Sequence, residues 1–278
     1  MVKDIRFRRG TPADSRRAFD LSMAAVKDLM ARQNHELPFD ADSLWSVLES
    51  YLAHLATHAA EWWIAEDVSD GSLVGYARSV ERGGLFELSE LFVRPGIQSA
   101  GLGKQLIERA FPRGRGEVRA IIATNDVRAL ARYYAADTVA RFPIASLTGK
   151  PKPAPQGEID VTVATPDDIP LLAELETAVV GYGRDADYPW LLREREGLLY
   201  RRGGRLVGSA FFGEKGIGPI ATYEPADQRF ILADMESRAH ARGIEEVSFS
   251  VPMVNEIAMN HLFGRGFKID GPLNLFMS

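Results

Sequence analysis

The sequence predicts a mixed α/β protein made of two tandem copies of one fold, each with a central sheet covered by helices on both faces. Three observations predict it. Strand-like and helix-like hydrophobic periods alternate through both halves of the 278-residue chain. A proline-rich polar stretch at residues 148–158 separates the halves. A short strand pattern followed by Thr-Pro-x-Asp opens each half, at Ile5 and at Ile159.

The periodicity of the first copy predicts a strand-rich order of elements. Alternating apolar residues indicate strands, and apolar residues three and four apart indicate helices. The predicted strands cover residues 4–9, 61–67, 73–81, 85–93, 118–124 and 141–148. The predicted helices cover residues 13–32, 41–58, 101–111 and 127–137.

The second copy repeats much of this order. Its predicted strands cover residues 159–163, 197–202, 206–212, 217–222 and 246–251, and its predicted helices cover 167–179, 226–242 and 255–265. Three residue types recur at one spacing of 130 positions, namely Pro95 and Pro225, Gln98 and Gln228, and Asn125 and Asn255. We therefore predict domains at residues 1–149 and 159–278, joined by a linker at 150–158.

Composition argues against several classes of protein. The chain has no cysteine, which excludes disulfides, thiolate zinc sites and a cysteine nucleophile. A net charge of −5 argues against general nucleic-acid binding. The charged start lacks an apolar core, and no apolar run approaches the ~20 residues that span a bilayer, so we expect a cytoplasmic protein without a membrane partner. His54 and His58 share a helix face but lack a third ligand at a suitable spacing, so no metal site is predicted.

The stretch Glu87–Phe111 carries the most specific motif. A strand pattern ends at Val-Arg-Pro, a loop with two glycines follows, and an amphipathic helix begins near Leu102. This order points backbone N–H groups at a bound phosphate. The Walker motif fits poorly because Leu102 directly follows Gly101, where lysine is needed, and the dinucleotide fingerprint fits poorly because Leu106 takes its third small position.

The pattern Gln-x-x-Gly-x-Gly after this strand resembles the acyl-CoA pyrophosphate loop of the GCN5-related N-acetyltransferase (GNAT) family. The resemblance implies a mostly antiparallel sheet in each domain and acetyl-CoA as co-substrate, with no metal. In the loop and helix start it implies cofactor contacts from Gln98, Ser99, Ala100, Gly101, Leu102, Gly103 and Lys104. In the strand it implies that the backbone of Leu91, Phe92 and Val93 pairs with the pantetheine arm and that the Val93 N–H is the oxyanion donor. Six basic residues from Arg94 to Arg119 would form a cationic rim for the CoA phosphates.

The segment after the next strand resembles a second conserved region of the same family. There a strand ends at asparagine, and the pattern Asn-x-x-Ala-x-x-x-Tyr brings a tyrosine to the thioester sulfur. Asn125, which the resemblance assigns to cofactor binding, is one residue out of register with this pattern, whereas Asp126 is followed in register by Ala129 and Tyr133. Tyr133 is favoured as general acid and Tyr134 is the alternative, while the choice between Asn125 and Asp126 stays open.

In the same family a carboxylate on the strand before the loop often serves as general base. Glu90 is the first candidate because it lies closest to the expected bend, and Glu87 is the reserve. Their odd spacing predicts that they face opposite sides of the strand. The loop near His35, Glu36 and Phe39 either borders the acceptor site or simply connects two helices.

The second copy departs from the family pattern. Spacing by 130 residues places Ile231 and Ala233 where the first copy has Gly101 and Gly103. A β-branched side chain there would resist the close backbone approach that a pyrophosphate needs. The second copy is therefore expected to be a degenerate domain with a structural role.

These observations predict an N-acetyltransferase that moves an acetyl group from acetyl-CoA to a primary amine by direct attack in a ternary complex. The acceptor is a small-molecule or peptide amine, and the sequence does not distinguish between an amino acid, a polyamine, an antibiotic and a protein. A homodimer is also compatible with the sequence. The alternative is a non-catalytic acyl-CoA binding or sensing protein. A nucleotide-binding module is disfavoured by the two motif mismatches.

Overall fold

The computed structural model describes residues 4–34, 40–97, 101–124, 126–154, 159–213 and 216–278. The chain divides into two compact units. Unit 1 comprises Met1–Ala140 with Met277–Ser278, and unit 2 comprises Arg141–Phe276. The last strand that the sequence analysis counted with the first domain therefore groups with unit 2. No helix among the described residues is long and apolar enough to cross a membrane.

Unit 1 is a helix-covered sheet, and its described part has five strands in chain order. The pairing of β1 to β2, β2 to β3 and β3 to β4 is antiparallel, whereas β4 and β5 are parallel. The strands are β1 (Ile5–Arg9), β2 (Ala59–Asp67), β3 (Leu73–Arg82), β4 (Leu85–Val93) and β5 (Val118–Thr124). The helices are α1 (Ser15–Arg32), α2 (Ala41–Thr57), α3 (Leu102–Ala110) and α4 (Val127–Ala135).

A β-bulge interrupts β4 in the middle of this sheet. Arg78 of β3 pairs with Glu90, but the next residue of β3, Ser79, pairs with Leu88, so Ser89 is one residue too many. The described pairing of β4 with β5 runs from Leu85 to Leu88 and ends at the bulge. A bulge bends its strand and increases the local twist, so β4 and β5 diverge beyond it.

The bulge also changes the orientation of the two candidate carboxylates. Glu90 lies opposite Arg78, and Glu87 lies opposite Val80, which is two residues further along β3. Residues two apart in a strand share a face, and opposed residues point to the same side. Glu87 and Glu90 therefore face the same side, and the prediction that they face opposite sides is wrong because the bulge adds a residue between them.

Unit 2 has a four-stranded antiparallel sheet in the order β10-β9-β8-β7, and β6 pairs antiparallel with β11 and β12. The strands are β6 (Ala140–Gly149), β7 (Asp160–Val163), β8 (Glu196–Arg202), β9 (Arg205–Gly213), β10 (Gly216–Thr222), β11 (Val247–Pro252), β12 (Lys268–Ile269) and β13 (Asn274–Met277). The helices are α5 (Ile169–Val180), α6 (Tyr188–Glu194), α7 (Gln228–Ala241) and α8 (Glu256–Arg265). The periodicity did not predict α6, β12 or β13.

The recurring Leu-Val-Gly sequence has a packing reason in both units. A Cβ atom added to Gly75 in β3 would lie 3.0 Å from Cδ1 of Leu106 in α3. A Cβ atom added to Gly208 in β9 would lie 2.6 Å from Cδ1 of Ile231 in α7. In each unit, therefore, the glycine lets the following helix lie close against the sheet.

The described part of the predicted linker is held by hydrogen bonds within unit 2. The Lys152 N–H donates to Glu236 at 2.8 Å, and the Ala154 N–H donates to the Ser237 hydroxyl at 2.7 Å. Arg265 donates to the carbonyl oxygen of Lys152 at 3.0 Å. Residues 150–154 therefore form part of unit 2. Proline favours an extended backbone, which leaves the N–H and carbonyl groups of the neighbouring residues available for these hydrogen bonds.

Candidate functional site

A pocket of about 80 Å³ opens where β4 and β5 separate in unit 1. Strand β4, the start of α3 and the first turns of α4 meet around it. Its lining residues are Leu91, Val93, Gly103, Asp126, Arg128, Ala129, Arg132 and Tyr133. Six of the residues that the sequence singled out, one of them the candidate acid, therefore come together at one place.

Gly101 begins helix α3 in a conformation that suits glycine. Its φ angle is +79°, in the left-handed region. The first helical hydrogen bond of α3 runs from the Gln105 N–H to the Gly101 carbonyl at 3.2 Å. The N–H groups of residues 102–104 precede that bond, so they have no partner within the helix and point toward the loop.

The other predicted cofactor residues differ in what their side chains do. Leu102 is buried in the core, and the ring of Phe92 packs against that of Tyr76 at 5.6 Å, so these two residues have only backbone to offer. Lys104 extends into solvent, 3.8 Å from Glu108. Gln98, Ser99, Ala100 and Asn125 lie outside the described residues, as do His35, Glu36 and Phe39.

The backbone of Val93 is oriented toward the separation between the strands. The neighbouring Arg94 N–H donates to the Val74 carbonyl of β3 at 2.9 Å. Successive N–H groups of a strand alternate in direction, so the Val93 N–H points away from β3 and toward the β5 side.

Tyr133 and Tyr134 have very different surroundings. Tyr133 lines the pocket and is 7% exposed, whereas Tyr134 is 53% exposed. Burial, and after it the negative charge of Asp126, raises the pKa of Tyr133 to about 12. Asp126, Ala129 and Tyr133 all line the pocket, which agrees with the register counted from Asp126.

Asp126 is held in an ionic cluster at the start of α4. Its carboxylate caps the helix by accepting from the Arg128 N–H at 3.0 Å, and it also accepts from the Arg128 guanidinium at 3.0 Å. Arg32 of α1 lies 3.8 Å away. Burial alone would raise the pKa of Asp126, but these cations lower it below its usual value. Asp126 therefore presents a negative charge beside Tyr133.

Sequence reasoning missed Arg128 and Arg132 as pocket residues. Arg128 directly precedes Ala129, and Arg132 directly precedes Tyr133. Residues four apart share a helix face, so this spacing could have indicated that both arginines lie on the side of α4 that faces the pocket. The Arg132 Nε atom would lie 3.5 Å from a Cβ atom added to Gly103. The absence of a side chain at Gly103 thus leaves room for this cation over the start of α3.

A second cavity, of about 720 Å³, lies between α3 and α4. Its basic lining residues are Lys104, Arg113, Arg119 and Arg132. The predicted cationic rim is narrower than the sequence suggested. Arg109 lies over the ring of Phe7 at 3.9 Å and Arg115 pairs with Glu61 at 3.1 Å, and neither lines this cavity. Arg119 lines it but also donates to the carbonyl oxygens of Phe111 and Ala136.

The two candidate bases have different partners. Glu90 accepts from Arg78 Nε at 2.6 Å and from the Tyr76 hydroxyl at 3.0 Å, and the Arg78 side chain is only 2% exposed. Glu87 has a looser ionic contact, 3.5 Å from Arg82. Among the described residues, no three acidic or histidine side chains are grouped to hold a metal ion.

The corresponding region of unit 2 is built differently. Helix α7 begins at Gln228, so Ile231 is already helical and fully buried, whereas the matching Gly101 precedes its helix. The Gln228 side chain accepts from Asn255 Nδ2 at 2.7 Å, and Asn255 caps α8. Two of the three residues that recur with a spacing of 130 thus pair with each other in unit 2.

Comparison with known proteins agrees with this geometry. A model of the acetyltransferase (GNAT) family matches residues 25–136, all of which lie in unit 1. No curated protein matches the sequence.

Solved structures share the fold over nearly the whole chain. A Pyrococcus horikoshii protein, provisionally described as an acetyltransferase, has 17% identity and a TM-score of 0.73, over 98% of this chain and 88% of that one. A GCN5-related N-acetyltransferase from Sphaerobacter thermophilus has 15% identity and a TM-score of 0.65, over 98% and 94%. A tandem GNAT protein from the clavulanic acid biosynthesis pathway has 15% identity and a TM-score of 0.62, over 99% and 98%. At these identities the likeness concerns the fold, and it confirms the predicted fold class.

The charge of Asp126 gives a testable prediction. In Asp126→Asn the pKa of Tyr133 should fall from about 12, because a negative charge that disfavours the phenolate is removed. Burial, the larger cause, is unchanged, so the pKa should stay above the ordinary value of 10. Tyrosine-selective carbon NMR over pH, assigned with Tyr133→Phe, measures the shift. Asp137→Asn, at an exposed position paired with Arg113, is the matched control, and an unchanged Tyr133 pKa in Asp126→Asn would contradict the argument.

Proposed function

We propose that unit 1 is an acetyl-CoA-dependent N-acetyltransferase, since residues 25–136 match a model of the acetyltransferase (GNAT) family. The observation that carries the proposal is the single pocket at which Val93, Gly103 and Tyr133 meet. The reaction moves an acetyl group to a primary amine by direct attack in a ternary complex. It requires no covalent enzyme intermediate, which suits a chain without cysteine.

The fit to acetyl-CoA rests on backbone donors and on positive charge. The N–H groups at the start of α3, after the left-handed Gly101, would bind the pyrophosphate. The cavity between α3 and α4, with Lys104, Arg119 and Arg132 in its lining, would accept the nucleotide end. The pantetheine arm would follow β4 from Leu91 to Val93, where that strand has left β5.

Two groups of the chain would act at the carbonyl carbon. The Val93 N–H, on the side of β4 away from β3, would stabilise the developing oxyanion once acetyl-CoA is bound. Glu87 would take a proton from the acceptor amine, directly or through water. We favour Glu87 over Glu90, because the Glu90 carboxylate already accepts hydrogen bonds from the Tyr76 hydroxyl and from the buried Arg78, and binding an amine would disturb these contacts.

Tyr133 would assist the departing thiolate. A phenol with a pKa of about 12 is protonated at neutral pH and can donate a hydrogen bond. Full proton transfer to a thiolate, whose ordinary acid pKa is about 8.5, would be unfavourable from such a phenol. Tyr133 therefore acts by stabilising the thiolate through its hydroxyl, while Arg128 and Arg132 supply positive charge nearby.

The acceptor is a small-molecule or peptide amine, and unit 2 is proposed as a degenerate copy without a pyrophosphate site. The alternative, a non-catalytic acyl-CoA binding or sensing protein, would also bind CoA. Only the enzyme would release free thiol from acetyl-CoA in the presence of an amine panel. Thiol release with none of the amines, despite measurable CoA binding, would favour the alternative.

Gly101→Val tests the pyrophosphate loop. CoA binding should be lost, because valine is strained at a φ of +79° and its side chain blocks approach to the N–H groups. Gly71→Val is a matched control, since Gly71 has a φ of +68° and an added Cβ atom would meet no atom within 4 Å at either position. Both variants should lose about 1–2 kcal/mol of unfolding free energy, and only Gly101→Val should lose CoA binding in calorimetry. Normal CoA affinity in Gly101→Val would show that the loop is misplaced.

The variants Glu87→Gln and Glu90→Gln test which of the two carboxylates acts as the base and which one only stabilises the fold. Glu87→Gln should reduce thiol release about 10²-fold with little change in stability. Glu90→Gln should reduce the free energy of unfolding by about 1–3 kcal/mol, because it leaves the buried Arg78 without its counter-charge. Amine-dependent thiol release and denaturant unfolding measure the two effects. Full turnover in Glu87→Gln, with loss of turnover but normal stability in Glu90→Gln, would assign the base to Glu90.

Tyr133→Phe tests the thiolate donor. Thiol release should fall about 10²-fold while CoA binding is retained, because only the hydroxyl group is removed. Tyr134→Phe is the control and should behave like the parent chain, since Tyr134 is 53% exposed outside the pocket. Unchanged turnover in Tyr133→Phe would remove Tyr133 from the mechanism.

A further inference from the structure

Unit 2 contains a cleft of about 870 Å³ that the proposed acetyl transfer does not use. It lies between β10 and β11, which belong to different sheets, with the end of α5 and the starts of α7 and α8 beside it. Apolar side chains form much of its lining, including Val179, Ile217, Ile220, Leu232, Phe249 and Val251. Its volume falls within the range of about 300–1,000 Å³ typical of sites for small molecules.

A buried polar cluster stands behind one wall of this cleft. Arg184 lines the cleft, and its guanidinium lies 2.6 Å from Glu176, which is only 6% exposed. The hydroxyl of the buried Tyr188 lies 2.6 Å from the other oxygen of Glu176. Burying an ion pair is costly unless its geometry is well fixed, so the cluster holds Arg184 in one orientation at the wall.

The guanidinium of Arg184 is incompletely satisfied by the described residues. It carries five N–H donors in a planar fork that matches a carboxylate. Glu176 takes one end of the fork, and the buried Nε atom has no hydrogen-bond partner among the described residues. The Nε atom is buried, so an anionic ligand in the cleft would be bound by the terminal N–H groups of Arg184, whose side chain is 28% exposed.

The charges of the lining are two cations and one described acid, while Glu176 and the buried Asp187 lie near Arg184 behind the lining. Arg195 is a second cation in the lining and donates to the Gly218 carbonyl, while Glu256 is the one acidic residue in the described lining. A CoA pyrophosphate is a poor candidate because α7 is already helical at Ile231 and Asp227 places a buried carboxylate at its start. The ligand should therefore carry a small anionic group and no nucleotide.

We propose that the cleft of unit 2 binds a small carboxylic acid with an apolar body. The carboxylate would accept hydrogen bonds from Arg184, and the apolar body would pack against Ile220, Leu232 and Phe249. This site is independent of acetyl transfer in unit 1. Unit 2 would then bind a ligand even though it lacks the glycines of the phosphate loop.

Calorimetry on the full chain tests the proposal with 4-phenylbutyrate and octanoate, each compared with its neutral amide. At least one acid should bind, and its amide should bind at least about tenfold more weakly, because a charge-assisted pair with Arg184 is lost. The double variant Arg184→Gln with Glu176→Gln should abolish this preference without leaving one charge buried and unpaired. Val179→Trp should block binding by filling the cleft from a position that is 42% exposed.

Arg193→Gln is the matched charge control, since Arg193 is exposed on α6 and should leave binding unchanged. The proposal is overturned if neither acid binds at millimolar concentration, if acid and amide bind equally, or if both the double variant and Val179→Trp keep the parent affinity. It is also overturned if saturating acetyl-CoA or the Gly101→Val change removes acid binding, because either result would place the acid in unit 1. Retained acid binding in Gly101→Val would support the site even if acetyl transfer in unit 1 were disproved.

Discussion

The bulge at Ser89 is the constraint on which the candidate site of unit 1 depends. Parallel strands that pair along their full length leave no room between them, but β4 and β5 share a described ladder only up to Leu88. One extra residue ends the ladder, and it places Glu87 and Glu90 on one face. The pocket beyond the bulge is lined by groups from β4, α3 and α4. A single extra residue in β4 therefore creates the space in which these groups meet.

The two units show how a small change at a helix start alters a site. In unit 1 the left-handed Gly101 delays the helix and leaves N–H groups directed at the loop. In unit 2 the helix begins at Gln228, and the buried Ile231 packs over Gly208 of the sheet. The packing of helix on sheet is retained in both units, whereas the left-handed glycine before the helix of unit 1 is matched in unit 2 by Ile231, which lies within α7. Fold and ligand site are thus separable properties of the same arrangement.

Buried charge pairs orient functional groups in both units. Arg78 and Glu90 in unit 1, and Arg184 and Glu176 in unit 2, remove charges from water at a cost that their attraction only partly offsets. What such pairs provide is a fixed geometry. For Glu90 this argues for an anchoring role beside the pocket, and for Arg184 it gives a cation held at the wall of a cleft.

The sequence by itself determined the fold class, most element boundaries and the glycine directly before α3, because hydrophobic period and glycine position are local properties of the chain. It also identified Tyr133 as one of two candidates. Only the tertiary structure separated the buried Tyr133 from the exposed Tyr134, since both lie on one helix and burial depends on what packs against it. The shared face of Glu87 and Glu90, the partners of Arg78 and the cleft beside Arg184 were likewise decided in three dimensions. Each depends on a strand register or a contact between residues far apart in the chain, which no local pattern encodes.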